Sequence, residues 1–285
     1  MPAATTSALA VLSDQVAQTK QVFAETQTLA SDWLAQQNLI VDALRQRASE
    51  SVESQVLRSV SDNSRPSVSQ VTSEELSSVT QKLRSYALGP PSQLAGNESL
   101  YLEQQLSDLL GFDVATVLDG RQLPHNAATM SALPHQQRSP EDTLEKHRHH
   151  QEAGLQTGRS QFGWFVPNAA DSHSNHSQPE EYSVTVQLQY LDEWQSQRQE
   201  LKKWYRYRKI VVINPFERRA TIAAITGVGP TERLQYQCAG SPEVIRETMV
   251  WSLASQGKVL LFYVDDPEDT LALGPVSMPN PGQLL

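Results

Sequence analysis

Arg208–Pro230 reads RKIVVINPFERRATIAAITGVGP and Ser241–Val264 reads SPEVIRETMVWSLASQGKVLLFYV, and these two stretches decide the fold. Ile210–Ile213 is a β-branched apolar run stopped by Asn214-Pro215. Ala220–Ile225 is a second, stopped by Gly227-Val228-Gly229-Pro230. Short apolar runs closed by turn residues read as buried strands. Pro215–Arg219 is a connector of hairpin length, which predicts an antiparallel pair. After Pro230 the period changes. Ser241, Pro242 and Glu243 stand in the order of N-cap, first helical residue and first-turn acid, and Val244, Ile245, Met249 and Leu253 share one face of a three-turn helix. Lys258–Val264 is a further strand, ended by Asp265-Asp266-Pro267.

The segments WYRYRKIVVINPFERRATIAAITGVGP (204–230), AGSPEVI (239–245) and KVLLFYVDDPEDTLALGPV (258–276) resemble uncharacterised bacterial proteins that carry a double-psi β-barrel, the barrel of the rare-lipoprotein-A, barwin and expansin group. The resemblance covers the last third of the chain and extends back toward Gly158. It implies an α+β protein with a helical N-terminal region, a long helix or helical hairpin, followed by a six-stranded double-psi-type barrel over residues 158–266. In the enzymes of that group the second strand ends in Asn-Asp-x-Gly-Pro, whose aspartate is the general acid for glycan cleavage. Here the sequence is Thr226-Gly227-Val228-Gly229-Pro230, so Gly227 takes the acid's place. Breaking a glycosidic bond requires protonation of its leaving oxygen. Glycine cannot supply that proton, so the resemblance implies a barrel without catalytic activity.

Candidates for a relocated acid are Glu232 and Asp265, with Glu217, Glu243 and Asp266 also near in sequence. Each reads more simply as a turn residue, a helix-start acid or a strand terminator. Gly158–Pro167 (GRSQFGWFVP) reads as the first barrel strand. Trp164 and Phe165, with Tyr236, are the candidate ligand-binding rings, because aromatic faces beside a groove suit sugars; Trp164 as plain core is an equal reading. Tyr182–Leu191 alternates as a strand with one wet face.

With 285 residues the chain has room for one large domain or two ordinary ones, and its net charge of −9 argues against a general nucleic-acid binder. Arg198–Arg208 interleaves Lys202, Lys203 and Arg206 with Trp204, Tyr205 and Tyr207. That pattern can bind nucleic acid, but an amphipathic helix leading into the barrel explains it better. The single cysteine, Cys238, excludes an internal disulfide and a thiolate zinc site, and reads as a small buried residue. No cofactor is expected. Met1–Ala10 lacks the basic start of a secretory signal, and no apolar stretch of about twenty residues occurs, so no membrane span is expected. The compartment stays open, although the resemblance points to the cell envelope.

Residues 1–122 read as helical. Leu12, Val16, Phe23, Ala30, Trp33, Ile40 and Leu44 form a stripe along a helix over Ser7–Val60. That stripe needs a cover, either a hairpin partner at Thr72–Tyr86 (Leu76, Val79, Leu83) or a second copy in a homo-oligomer. Leu100–Leu110 is a further helix stopped by Gly111. All seven histidines lie between His125 and His176. Residues 123–157 read as a linker with a helix over Glu141–Ala153, on which His147 and His150 are one turn apart and can hold a metal with His125 or His135. Solvated histidines are the simpler reading. Residues 267–285 form a proline-rich tail, strap-like or disordered. The functions in view are a structural or glycan-binding (cell-wall) module, a peptidoglycan-cleaving enzyme with a relocated acid, or a subunit of a larger assembly.

Overall fold

The structure, a computed structural model, describes residues 73–94, 96–165, 179–231 and 234–278. The helix expected over Ser7–Val60 lies outside them. Helices α1 (Ser73–Leu88) and α2 (Asn97–Leu110) precede strands β1 (Val114–Ala115), β2 (Val117–Leu118), β3 (Arg121–Gln122), β4 (Ala127–Ala132), β5 (His135–Gln136), β6 (Leu155–Gln156) and β7 (Ser183–Val186). Then come α3 (Trp194–Tyr205), β8 (Lys209–Asn214), β9 (Arg219–Val228), β10 (Cys238–Gly240), α4 (Pro242–Glu247), β11 (Lys258–Val264) and β12 (Gly274–Ser277). Neighbouring strands run β11, β4, β10, β7, β9, β8 and back to β11, which closes a six-stranded mixed barrel. Its two parallel contacts are β4 with β10 and β7 with β9. This α+β architecture is compatible with a double-psi barrel.

The unbroken apolar runs have a simple cause. In β8, β9 and β11 both faces are covered, so alternation disappears. Ile210, Val212, Ala223, Ile225, Leu261 and Tyr263 point into the barrel. Their neighbours Val211, Ile213, Ile222, Leu260 and Phe262 point outward into a second core, with Val79 and Leu83 of α1 and Leu102 and Leu106 of α2. The stripe expected to make α1 a hairpin arm is therefore buried on the barrel wall. α2 ends as expected at Gly111, whose φ of 77° closes the helix in a conformation suited to glycine.

Several boundaries differ from expectation. The first barrel strand is β4, inside the segment expected as a linker; residues 158–165 form turns, with one isolated bridge between Ser160 and Gly163. β7 is only four residues long, and both Ser183 and Gln187 are buried, so it has no wet face. α4 is capped by Ser241, whose hydroxyl accepts the Val244 N–H, but it stops at Glu247; Met249 has a φ of 50° and Leu253 is 76% exposed. The tail contributes β12, which pairs antiparallel with β9.

The loop before β12 is pinned by Asp266. Its carboxylate accepts from Lys209 Nζ at 2.6 Å, from the Leu271 N–H and from the Thr270 N–H and hydroxyl. Burial opposes this charge, yet these donors pull the carboxyl down to about 2. A carboxyl lowered on folding stabilises the fold above its unfolded value, near 3.9, and that contribution fades as pH falls toward the folded value. Asp266→Asn is expected to lose at most about 2 kcal/mol at pH 7, because solvent screens a surface loop. Urea midpoints should show the gap from wild type narrowing below about pH 4.

Candidate functional site: the two ends of the barrel

Strand direction separates two ends. At one, β9 leaves the barrel: Gly227 pairs with Thr185 and Val228 with Val186. At the other, β4 and β10 leave through Ala132 and Gly240 and β7 enters at Ser183.

At the first end the β7–β9 register slips at Thr226, a bulge that sets Gly227 against Thr185. A Cβ on Gly227 would lie 3.0 Å from Thr185 Cγ2, tighter than an ordinary contact, so a side chain there would require Thr185 to shift. Next to this end opens a cavity of 850 Å³, lined by Gln93, Gln122, Gln187, Gln197 and Gln237, by Tyr190 and His125, and by Asp119, Asp192 and Glu193 among others. Two glutamines build its wall: Gln187 donates to the Tyr236 carbonyl and Gln189, behind it, donates to the Pro230 carbonyl. His125 is held toward its neutral form by burial, and its Nδ1 makes no hydrogen bond.

The residues proposed from sequence fall mostly elsewhere. Phe165 is buried beside Tyr207 at 6.2 Å, and Trp164 is half-buried with Arg159 over its ring. Tyr236 turns its ring toward Trp251 and meets the groove wall only through its carbonyl. None of these three rings lines the 850 Å³ cavity. Asp265 is exposed in a second cavity of 730 Å³, and Glu232 lies outside the described residues. That second cavity holds the basic-aromatic stretch. Arg208 and Arg121 sit 4.5 and 5.6 Å from the Trp204 ring centre, and Arg208 pairs with Asp119. Arg121 in turn pairs with Glu200 at 2.7 Å.

At the opposite end three side chains meet that sequence spacing does not unite. His147 and His150 are not one turn apart on a helix; residues 141–153 form two single 3₁₀ turns, at Leu144–Lys146 and Gln151–Ala153, and His150 takes a φ of 53°. His150 faces Arg246 and Glu152, and burial followed by the Arg246 charge lowers its pKa to about 4. His147 instead packs against His135, ring centres 4.5 Å apart, and both face Glu180. Arg138 donates through Nε to Glu180 Oε2 at 2.8 Å. Burial works against a charged Glu180, but His135 and Arg138 keep its pKa below the usual value. Burial likewise opposes a charged His135, while Glu180 and Glu243 outweigh it and raise its pKa. Glu243, under the same desolvation, is pushed up to about 7.

Glu180 carries no signal in the sequence beyond its place in a polar stretch, since its role depends on the β5–β6 excursion folding over it. Asp142 reads as a helix-start acid, yet it is the partner of His147 Nε2 at 3.1 Å. Among the described residues, no helix is long and apolar enough to cross a membrane. No protein-family model matches the chain, and neither curated proteins nor solved structures provide a match.

Proposed function

We propose that the chain is a non-catalytic binding module on a double-psi-type barrel, and that the groove at the Gly227 end of the barrel takes a hydroxyl-rich ligand of the glycan class, such as peptidoglycan. The observation that carries this reading is the state of β9 at the position where the resembling enzymes hold their acid. Gly227 has no group to donate, and a side chain there would press on the Thr185 methyl at 3.0 Å. The groove supports a binding role. Five glutamines offer donors and acceptors without net charge, and Tyr190, 41% exposed, offers a ring face. Asp192 and Glu193 stand exposed at its rim, where acceptors for sugar hydroxyls are useful.

The test is retention of the purified chain on insoluble peptidoglycan, compared with Tyr190→Ala. The ring is expected to contribute about 1 kcal/mol, so the variant should bind roughly fivefold more weakly. Equal retention of both proteins would move the contact surface away from this groove.

A further inference from the structure

At the barrel end opposite the groove, we infer that His135, His147 and Glu180 bind a divalent transition-metal ion of the zinc type, with Glu243 completing the set. The ligand atoms of the first three lie within 4.8 Å of one another, and all three residues are buried. The tautomers are fixed from outside. His135 Nε2 lies 2.9 Å from the His149 carbonyl and 3.1 Å from that of His150; carbonyls only accept, so the proton is on Nε2 and Nδ1 is bare in the neutral ring. His147 Nε2 faces Asp142 Oδ2, which places its proton there and leaves its Nδ1 bare as well. A carboxylate or carbonyl behind each ring is the arrangement that orients metal-binding histidines.

Both bare nitrogens converge on one oxygen. Glu180 Oε1 is 3.5 Å from His135 Nδ1 and 3.2 Å from His147 Nδ1. Neighbouring ligand atoms around a tetrahedral zinc, with bonds of about 2.0–2.1 Å, stand about 3.3 Å apart. Glu243 Oε1 is 4.0 Å from His135 Nδ1, within reach of a small side-chain adjustment. Three atoms here make no hydrogen bond although they are buried: His135 Nδ1, Glu180 Oε1 and Glu243 Oε2. Buried polar atoms are normally paired, and one cation among them would satisfy all three. Charge agrees in sign: Asp142, Glu180 and Glu181 all lie against Arg138, so carboxylates outnumber the cation and a divalent ion offsets part of the excess.

The competing arrangement needs no metal. Arg138 Nη2 lies 3.3 Å from His147 Nδ1, and protons on the two imidazoles would supply the same two charges. A metal displaces only that long contact and leaves the 2.8 Å bond from Nε to Glu180 Oε2 in place. Two histidines and a carboxylate also suit ferrous iron where coordination positions stay open. Here the ligands are buried and a second carboxylate is adjacent, which favours a closed, structural zinc site that clamps residues 135–156 onto the barrel.

The experiment uses the chain prepared without a polyhistidine tag, stripped with chelator and titrated with Zn²⁺, with bound metal measured by elemental analysis. One Zn²⁺ per chain is expected, and Co²⁺ in its place should give the visible absorption of a four-coordinate site. Chelation should open Lys146 and Arg148, both exposed on the clamped segment, to trypsin. Glu180→Gln and His147→Ala should each lose at least 100-fold in affinity, and Asp142→Asn about tenfold or more. If His147→Ala does not fold, Glu180→Gln, which keeps the shape and an acceptor for Arg138, decides. His125→Ala, at the other end of the barrel, should bind zinc as wild type. Absence of stoichiometric zinc in the wild type, wild-type binding by Glu180→Gln, or loss confined to His125→Ala would each overturn the assignment.

Discussion

Phe262→Ala is expected to lose about 3–5 kcal/mol of stability, a large part of the roughly 5–15 kcal/mol that holds an ordinary domain together. Phe262 is fully buried in β11, which pairs with β1, β4 and β8, and its ring belongs to the outer core that α1 and α2 cover. Truncation leaves a cavity between two layers that cannot collapse without moving a helix. Leu83→Ala, on the α1 side of the same core, should lose about 2–5 kcal/mol. If α1 is part of the barrel's fold, the two losses should be non-additive in urea unfolding, with a coupling of about 0.5 kcal/mol or more. Strict additivity with a small Leu83 effect would mean that α1 is a detachable appendage.

Asn214→Asp is expected to lose more than about 3 kcal/mol. The Asn214 amide is fully buried where β8 turns into β9, and all of its capacity is used. Nδ2 donates to the Thr248 and Met249 carbonyls at 2.9 Å each, and Oδ1 accepts from the Phe216 and Glu217 N–H groups. It therefore joins the β8–β9 hairpin to the turn that follows α4. Aspartate would set an anionic oxygen against two carbonyl oxygens and bury its charge. Folding would then raise that carboxyl's pKa, so the deficit should be full above it and shrink as pH falls through it. A loss under about 1 kcal/mol, or one independent of pH, would contradict this role.

The parts of the fold legible in the sequence are those with local causes. The β8–β9 pair, β11, the Ser241 cap and the Gly111 stop follow from runs, turns and caps a few residues long, and the structure has each of them. The Asn214-Pro215 turn is visible as punctuation, but its bonds to Thr248 and Met249 are not, because those partners are brought in by the barrel. β4 escapes notice because Ala127–Ala132 (AATMSA) has little β-branched character; it is made a strand by its neighbours β10 and β11. Tyr182–Leu191 misleads for a related reason: Gln187 is buried, donating to the Tyr236 carbonyl, so a polar residue there does not mark a wet face.

The candidate sites divide in the same way. Gly227 stands out in the sequence only by comparison with the motif of the resembling family. His147 is visible as a ligand type, but its helical pairing with His150 is not adopted, since the segment is wound into short turns around Asp142 and Arg138. Glu180 follows a stretch with no periodic pattern and meets His135 across 45 residues of chain, a distance over which spacing carries no information. Trp164, Phe165 and Tyr236 suggest a sugar platform through their ring chemistry alone. That Phe165 is buried beside Tyr207 and that the Tyr236 ring meets Trp251 are properties of packing.

The central claim is a barrel that binds without cutting, and it is tested most directly by incubating the wild-type chain with purified insoluble peptidoglycan and measuring both retained protein and released soluble fragments. Retention with no release above the protein-free control is the predicted result. Release of fragments by the wild type would contradict it, because a proton donor would then have to exist elsewhere in the groove, and failure to be retained would remove the glycan reading itself.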